Sequence, residues 1–274
     1  MNGFFNVVST SPFNYDAAKQ YVRDIQWGSF WISMGYVVVI FTIKKVMENR
    51  KPFNIKLPLN LWNLWLAVFS IAGSYVTSKA LFSEIYNKSL TDSYCKNGDF
   101  FVGTPGLWTF LFCCSKIAEL GDTIFIVLRK RPLMFLHWYH HVATLNYGFL
   151  SYVDGTAFNT WIVWLNFSVH AIMYSYYCLA SVGVKIPAVI ARSITFLQIT
   201  QFAITHLILF HVGYLALVGT PCDTTPLAYW YCLLMEISYL VLFGNFFYQS
   251  YIKGGGKKFN KEKAVTKDVS QKVE

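Results

Sequence analysis

The stretch Lys116-Ile-Ala-Glu119-Leu-Gly-Asp122-Thr123, followed after 13 residues by His137-Trp-Tyr-His140-His141, constrains this chain more than any other part of its sequence. It places a lysine, two carboxylates and three histidines in segments that otherwise have the character of membrane-spanning helices. Ionisable side chains are costly in a bilayer core, where they are rare and face a protein interior or a wet cavity. A structural role explains one such residue well, but six of them within 26 residues indicate a reaction site.

The composition around this stretch is typical of a membrane protein. The chain has 274 residues, of which 55% are hydrophobic, 19% aromatic and 14% charged, whereas soluble domains carry about 25% charged residues. A helix needs about 20 apolar residues to cross a hydrocarbon core of about 30 Å. Seven segments reach or approach that length, near 27–43, 59–80, 106–128, 132–152, 157–180, 189–218 and 227–251. The sequence therefore predicts an all-α, polytopic membrane protein with seven transmembrane helices.

These segments leave no room for a second domain. We predict one seven-helix membrane domain over residues 1–252 and a disordered, lysine-rich, cytosolic tail over 253–274. The start of the fourth helix is predicted at Pro132, directly after the basic run Arg129-Lys130-Arg131, because proline is favoured at the first position of a helix.

Basic residues are concentrated in the loops on one side of the predicted bundle. Those loops contain Lys44, Lys45, Arg50, Lys51, Lys56, Arg129, Lys130, Arg131, Lys185 and Arg192. The positive-inside rule therefore predicts a cytosolic C-terminus and an N-terminus on the other side, as an odd number of spans requires. The formal net charge of +9 is then a topological signal, and no nucleic-acid-binding motif accompanies it.

Two features fall in the loops predicted to be lumenal. Asn87-Lys88-Ser89 is a glycosylation sequon. Cys95 lies in the same loop and Cys222 in the loop before the last helix, so an oxidising lumen favours a disulfide between them over two free thiols. The other cysteines fall within helices, where small apolar packing is the expected role.

Polar side chains form a stripe on each of four predicted helices at about 100° per residue. The stripes comprise Lys116, Glu119, Asp122 and Thr123; His137, His140 and His141; Asn166, His170, Met173, Tyr174 and Tyr177; and Thr195, Gln198 and Gln201. All four lie between the cytosolic boundary and the middle of the bilayer, within reach of a soluble, charged substrate. For the glutamines, interhelical hydrogen bonding is the alternative, and for the tyrosines it is an aromatic belt. His206 and His211 lie away from these stripes, which favours structural roles.

In this order and spacing, the motifs resemble the fatty acid elongase family. They are Lys-x-x-Glu-x-x-Asp-Thr at 116–123, His-x-x-His-His at 137–141, Asn-x-x-x-His-x-x-Met-Tyr-x-Tyr-Tyr at 166–177 and Thr-x-x-Gln-x-x-Gln at 195–201. The resemblance covers essentially the whole chain. It implies an endoplasmic-reticulum condensing enzyme with seven helices, the last six of which enclose a narrow tunnel as two inverted three-helix units. The form His-Trp-Tyr-His-His after Phe135-Leu136 is similar to the branch acting on saturated and monounsaturated chains.

The resemblance further implies a decarboxylative Claisen condensation of long-chain acyl-CoA with malonyl-CoA, giving 3-oxoacyl-CoA, CoA and carbon dioxide. No cofactor beyond these substrates is expected. The remaining steps of the elongation cycle belong to separate proteins that associate with such an enzyme: the 3-oxoacyl-CoA reductase, the dehydratase and the enoyl-CoA reductase.

The residues have distinct predicted roles in that reaction. Neutral imidazole is a good nucleophile and leaves well, so we predict that His140, with His170 opposite, transfers the acyl group, through an acyl-histidine. His137 and His141 would orient this pair, and Asn166 would donate to the oxyanion. Substrate-binding roles are predicted for an ion network of Lys116, Glu119 and Asp122, for Arg129 and Lys130 at the CoA phosphates, and for Tyr174, Tyr177, Gln198 and Gln201.

Three alternatives remain open on the sequence alone. His-x-x-His-His also occurs in di-iron boxes, so a metal-dependent desaturase or hydroxylase is one; such sites use several boxes, and this chain has six histidines in all. A seven-helix receptor or transporter is the second, and it predicts a lumenal or midplane ligand site. In the third, the condensation uses Cys113 as its nucleophile.

Overall fold

The computed structural model describes residues 3–253, which form helices joined by short turns and loops, with no strand in that range. The α-helices are Phe4–Ser9 (α1), Tyr15–Val46 (α2), Lys56–Asn87 (α3), Asp92–Cys95 (α4), Gly103–Glu119 (α5), Gly121–Leu128 (α6), Phe135–Asp154 (α7), Asn159–Ser181 (α8), Ala188–Leu217 (α9) and Pro226–Phe247 (α10). A 3-10 turn at Asp99–Phe101 and a π-helical turn at Tyr248–Lys253 complete them. The predicted tail lies almost entirely outside the described residues.

Within residues 3–253, four helical segments are long and apolar enough to cross a membrane: Tyr15–Val46, Lys56–Asn87, Ala188–Leu217 and Pro226–Lys253. Large apolar side chains such as Trp31, Leu64 and Leu234 lie exposed on them, as expected where lipid is the solvent. The predicted all-α class is confirmed, and the chain has the character of a multi-pass membrane protein.

Each predicted segment corresponds to observed helix, but several bounds differ. The third segment is interrupted at Leu120, between α5 and α6. The start predicted at Pro132 is wrong, because Met134 keeps an extended backbone and α7 begins at Phe135. The helices α2 and α3 are longer than the segments at 27–43 and 59–80. Hydropathy finds the part of a helix that suits hydrocarbon, whereas helical hydrogen bonding continues into the polar ends.

Six of the helices contact one another in a closed circular order, α3–α8–α9–α10–α7–α5, and α3 makes its most extensive contacts with α8. The helix α2 packs outside this ring, mainly against α7 and also against α5 and α6. The polar stripes recognised in the sequence lie on ring helices or on α6, which continues from α5.

One end of the ring carries the basic loops and is called here the basic end. Lys130 Nζ donates to the carbonyl oxygens of Glu48 and Arg50, at 2.9 and 3.1 Å. The backbone N–H of Phe53 donates to the carbonyl of Leu128 at 3.1 Å. The loop after α2 is thereby fixed to the end of α6.

The opposite end is closed by a disulfide between Cys95 and Cys222, across 127 residues of sequence. Asp223 adds three hydrogen bonds beside it: its backbone N–H donates to the carbonyl of Cys95, its carbonyl accepts from Ala157, and its carboxylate accepts from the N–H of Asn97. The loops before α5, α8 and α10 are therefore held together at this disulfide end.

Candidate active site

A cavity of about 240 Å³ lies among the helices of the ring, toward the basic end, and is called here the histidine cavity. Ten of the predicted site residues line it: Asp122, His137, His140, His141, Asn166, His170, Tyr174, Tyr177, Gln198 and Gln201. They come from α6, α7, α8 and α9, so the four stripes meet in one place as the helical periodicity indicates.

Lys116 and Glu119 are buried behind Asn166, and they form an ion pair. Lys116 Nζ lies 2.7 Å from Glu119 Oε1, and both side chains are about as buried as the apolar core, at 3% exposure. The same Nζ donates to Asn166 Oδ1 at 3.1 Å and lies 4.0 Å from the ring centroid of Phe112. Ser115 donates to Glu119 Oε1 at 3.0 Å. The ammonium group of Lys116 therefore has protein groups as its partners, which take up its capacity to donate hydrogen bonds.

Asn166 links the ion pair of Lys116 and Glu119 to His170. Because Lys116 can only donate, it fixes the carbonyl end of the Asn166 amide toward itself. The amide nitrogen then faces His170, and Nδ2 lies 3.3 Å from His170 Nε2. The edge of the Tyr174 ring packs against the same imidazole, with centroids 5.3 Å apart. Four residues, Glu119, Lys116, Asn166 and His170, thus form one hydrogen-bonded chain.

The predicted ion network of three residues is wrong in one member, because Asp122 belongs to a separate cluster. Its carboxylate accepts from Trp62 Nε1 at 2.6 Å and from the Tyr174 hydroxyl at 2.7 Å. Within residues 3–253 it forms no ion pair. Asp122 lies on α6, after the interruption at Leu120, and there it meets α3 and α8. Trp62 was not among the predicted site residues, since nothing in a single sequence shows that α3 reaches this point.

His137 is held by neighbours outside the cavity. Its Nε2 lies 2.9 Å from the Thr123 hydroxyl, which in turn lies 2.6 Å from the Tyr36 hydroxyl on α2. The imidazole of His141 packs edge-on against that of His137, with centroids 4.7 Å apart. These contacts suit the orienting role predicted for His137 and place His141 directly behind it.

Neither His140 nor His141 has a polar partner for its ring among residues 3–253, in contrast to His137 and His170. The backbone carbonyl of His140 accepts from Tyr239 at 3.2 Å. The ring packs against that of Tyr239, with centroids 4.9 Å apart, and near Phe243. Both nitrogens are thus available to a ligand.

Gln198 and Gln201 differ in their hydrogen bonding. Gln198 donates to the sulfur of Met173 at 3.3 Å, which links α9 to α8 and matches the interhelical alternative. Gln201 Oε1 is buried without a partner among residues 3–253. Tyr174 is committed to Asp122, whereas Tyr177 makes no side-chain hydrogen bond there and stays partly exposed.

A second, open cavity of about 860 Å³ adjoins the histidine cavity at the basic end and is called here the basic groove. Both are lined by Asp122, Met134, His137, Tyr174 and Tyr177, so these five residues form the boundary between them. The remaining lining of the groove is mixed: its polar members are Lys56, Asn60, Asn63, Arg129 and Ser181, and apolar residues such as Leu59, Phe125 and Ile126 lie between them. Access from the aqueous phase therefore leads past cationic and amide side chains to the histidines.

The cations of the basic groove were only partly predicted. Arg129 lines the groove; partial burial, and then the charge of Arg131, lower the pKa of its guanidinium, which nevertheless stays protonated at neutral pH. Lys130 instead donates to the carbonyls of Glu48 and Arg50. Lys56, which the sequence showed only as a loop cation, lines the groove at the start of α3.

The described residues contain no group of three or more His, Cys, Asp or Glu side chains arranged to hold a metal ion. His137 and His170 each direct a nitrogen to a protein group instead. His206 and His211 lie elsewhere: His206 bonds to the carbonyl of Phe202, and His211 to the Tyr94 hydroxyl at 2.7 Å.

Comparison of the sequence with known proteins identifies the family to which the chain belongs. The family described as "ELO: GNS1/SUR4 family" matches residues 22–259. The "Long chain fatty acid elongase 1" of Caenorhabditis elegans is 46% identical over 267 residues, which cover 96% of this chain and 92% of that protein. The "Very long chain fatty acid elongase 6" of Homo sapiens is 39% identical over 240 residues, or 88% and 90% of the two chains. The Drosophila melanogaster protein of that name is 41% identical over 226 residues, or 81% and 72%. The chain therefore belongs to the ELO: GNS1/SUR4 family, the fatty acid elongases that its four motifs resemble.

Proposed function

We propose that this protein condenses a long-chain, saturated acyl-CoA with malonyl-CoA to give 3-oxoacyl-CoA, CoA and carbon dioxide. The observation that carries the proposal is the imidazole of His140, which has no polar partner among residues 3–253 and lines a cavity that adjoins the basic groove. The groove suits the polyanionic CoA moiety. The apolar part of the cavity wall, which includes Val169, Phe202 and Phe243, suits the acyl chain. A saturated chain is favoured by the form His-Trp-Tyr-His-His after Phe135-Leu136, as in the branch that this motif resembles.

We further propose seven membrane spans, with the ring of six helices enclosing the acyl tunnel and the broken pair α5–α6 counted as one span. The protein would lie in the endoplasmic-reticulum membrane with its C-terminus in the cytosol and its N-terminus in the lumen. CoA would then enter from the basic end, while the disulfide and Asn87 would face the oxidising lumen.

The reaction follows a double displacement in this proposal. A nitrogen of His140 attacks the thioester carbonyl, the tetrahedral intermediate collapses, and the CoA thiolate leaves and takes up a proton. Malonyl-CoA then loses carbon dioxide to give an enolate. The enolate carbon attacks the acyl-imidazole carbonyl and forms the new carbon–carbon bond. The carbon–nitrogen bond breaks, and the leaving imidazolate takes up a proton from water, which restores the neutral histidine. Burial protects the acyl-imidazole from water.

The other groups would act by position and electrostatics. His170, held by Asn166, faces the same cavity and would stabilise negative charge on a thioester oxygen. Lys56 and Arg129 would bind the phosphates of CoA. The reductases and the dehydratase of the elongation cycle would receive the 3-oxoacyl-CoA as separate partners.

Elongation assays test the proposal directly. Microsomes from cells expressing the protein, incubated with radiolabelled malonyl-CoA and a panel of acyl-CoAs, should release labelled carbon dioxide and form 3-oxoacyl-CoA. The rate should be highest with saturated long chains. Absence of product with every acyl-CoA, from protein that is expressed and folded, would reject the condensation. Preference for polyunsaturated chains would reject only the substrate class.

Changing Cys113 to Ser should leave condensation within about twofold of wild type, which separates the histidine mechanism from a cysteine one. The thiol is buried and donates to the carbonyl of Gly148 at 3.5 Å, an interaction that a serine hydroxyl can replace. Initial rates with saturating acyl-CoA measure the effect. Loss of activity in a variant that unfolds at the wild-type temperature would favour Cys113 as the nucleophile.

The proposed orientation predicts where Asn87 and the disulfide face. Asn87 is exposed at the end of α3, so an endoglycosidase should shift the wild-type band but not that of Asn87→Gln. In sealed microsomes, after reduction, a membrane-impermeant thiol reagent should label Cys95 only once detergent is added. Labelling of Cys95 without detergent would invert the assigned orientation.

A further inference from the structure

An open cavity of about 600 Å³ lies at the disulfide end, where the last turns of α3 face the start of α5, and is called here the lateral groove. It shares no lining residue with the histidine cavity or the basic groove, so it is separate from the candidate active site. Tyr75 and Val76 line one end of it. Glu84 lines the other end and lies nine residues after Tyr75, about 14 Å along α3. The groove is therefore apolar toward the middle of α3 and polar toward the end of that helix.

The charged residues that line the lateral groove are two lysines and two acids, so their net charge at neutral pH is zero. Lys88 Nζ lies 3.7 Å from Glu84 Oε1 and 3.6 Å from Asp99 Oδ2, whereas a charge-assisted hydrogen bond is about 2.7–2.9 Å long. Lys88 thus lies near both carboxylates without a direct hydrogen bond to either. Lys79 forms no ion pair within residues 3–253, and its ammonium lies over the ring of Tyr75, 5.3 Å from the centroid.

The carboxylate of Glu84 is incompletely hydrogen-bonded. Its side chain is 5% exposed, and Oε1 accepts from the N–H of Phe100 at 3.3 Å. The other oxygen, Oε2, has no partner within residues 3–253. Gly98 leaves the space that this carboxylate occupies, because a Cβ atom there would overlap with Oε1. A buried carboxylate oxygen without a donor is unfavourable, so the groove contains an acceptor that requires a donor, and a cationic donor suits it best.

The start of α5 provides a complementary feature in the same groove. Gly103 and Thr104 are the first two residues of this helix and line the groove, and Val102 before them forms no side-chain cap. The first N–H groups of a helix have no partner within the helix, and phosphate groups bind to them favourably. These N–H groups and the ammonium of Lys79 together suit one phosphate.

We propose that the lateral groove binds a zwitterionic phospholipid with a primary ammonium headgroup, phosphatidylethanolamine. The phosphate binds Lys79 and the start of α5, the ammonium donates to Glu84 and Asp99, and the acyl chains pack along Tyr75 and Val76. A choline headgroup has no N–H to donate to a carboxylate, and a glycerol headgroup offers it no cation. This site is independent of the proposed condensation.

Lipid binding to the purified full-length protein, measured by native mass spectrometry, tests the inference. The protein is first treated with an endoglycosidase, because Asn87 also lines the groove. The probes are the dioleoyl forms of phosphatidylethanolamine, phosphatidylcholine and phosphatidylglycerol. Wild type should bind phosphatidylethanolamine at least about tenfold more tightly than the other two lipids, as expected for a hydrogen bond to a charged group.

The soluble compound O-phosphoethanolamine separates a lipid from a free headgroup. It carries the same phosphate and ammonium but has no acyl chains to pack along the apolar end of the groove, so it should bind much more weakly than the lipid. Equal affinities for the two compounds would assign the groove to a soluble ligand and overturn the proposed lipid.

Glu84→Gln keeps the shape of the side chain and removes its charge, which leaves the groove with a net positive charge. The ratio of the affinity for phosphatidylethanolamine to that for phosphatidylglycerol should therefore fall at least about tenfold. Asp99→Asn, at an exposed carboxylate, should lower this ratio in the same direction, which provides the test if Glu84→Gln does not fold. A ratio measured within one preparation does not depend on the amount of folded protein.

Lys79→Met should weaken the binding of all three lipids, since each of them has a phosphate. The matched control is Lys96→Met, which removes a lysine at the same end of the protein but outside the groove, and it should leave lipid binding unchanged.

Equal affinities of wild type for the three lipids would overturn the inference. An affinity ratio that stays at the wild-type value in both Glu84→Gln and Asp99→Asn would also overturn it, because the carboxylates would then have no role in binding the ammonium. The same holds if Lys79→Met binds the lipids as tightly as Lys96→Met, since the phosphate would then bind elsewhere.

Discussion

Replacing His140 with Ala should reduce the rate of condensation by at least about a thousandfold, because the substitution deletes the nitrogen proposed to receive the acyl group. His170→Ala should have an effect of similar size by removing the imidazole that Asn166 holds in the same cavity. Both variants should still insert into the membrane, since neither ring carries an interhelical ion pair. Initial rates of labelled carbon dioxide release measure the effect.

A covalent intermediate separates the roles of the two histidines. Incubation of wild-type protein with acyl-CoA alone should release CoA and leave an acyl adduct, which intact-protein mass spectrometry detects. His140→Ala should form none. The control is His211→Ala, which removes an imidazole bonded to Tyr94 at the disulfide end and should retain activity. Activity above about a tenth of wild type in His140→Ala or His170→Ala would reject the assigned role, since a positioned acid–base group contributes at least a hundredfold.

Changing Lys116 to Met should lower the free energy of unfolding by about 3–5 kcal/mol, the usual cost of leaving one charge of a buried pair without its partner. Glu119 has no other cation among its hydrogen-bonding partners in the described residues; the remaining one is Ser115. The variant should also lose activity, because Asn166 loses the donor that orients its amide. Unfolding in detergent, followed by circular dichroism, measures the stability.

Removing the second charge tests the explanation. Lys116→Met combined with Glu119→Gln should recover most of the stability but not the activity, since no cation would hold Asn166. The matched control is Lys96→Met, which breaks a half-exposed pair with Asp223 at 3.8 Å and should cost less than about 1 kcal/mol. If Lys116→Met is as stable as Lys96→Met, the buried ion pair contributes no more to the free energy of unfolding than a surface pair does.

The sequence allowed the stripes to be predicted but not all of their partners. Helical periodicity placed His137, His140 and His141 on one face, and the structure brings them to one cavity with His170. Periodicity could not show that α5 ends at Glu119. Because of this interruption, Asp122 lies apart from Lys116 and accepts hydrogen bonds from Trp62 and Tyr174. Such contacts depend on which helices are neighbours, and a single sequence does not contain that information.

Individual side chains within a motif were also beyond prediction. Arg129 and Lys130 are adjacent and equally basic, yet one lines the basic groove and the other bonds to two backbone carbonyls.

The hydrogen-bonded chain from Glu119 to His170 decides the tautomer of an imidazole. The amide nitrogen of Asn166 can only donate, so Nε2 of His170 accepts, and the neutral ring carries its proton on Nδ1. The lone pair of His170 Nε2 then accepts from Asn166, and Nδ1 of the same ring carries a proton. Neither nitrogen of His170 therefore offers a free lone pair. No such constraint acts on His140. Two chemically identical side chains thus differ: the tautomer of His170 is fixed through a chain that begins at a carboxylate touching neither ring, whereas the tautomer of His140 is not fixed by a hydrogen bond.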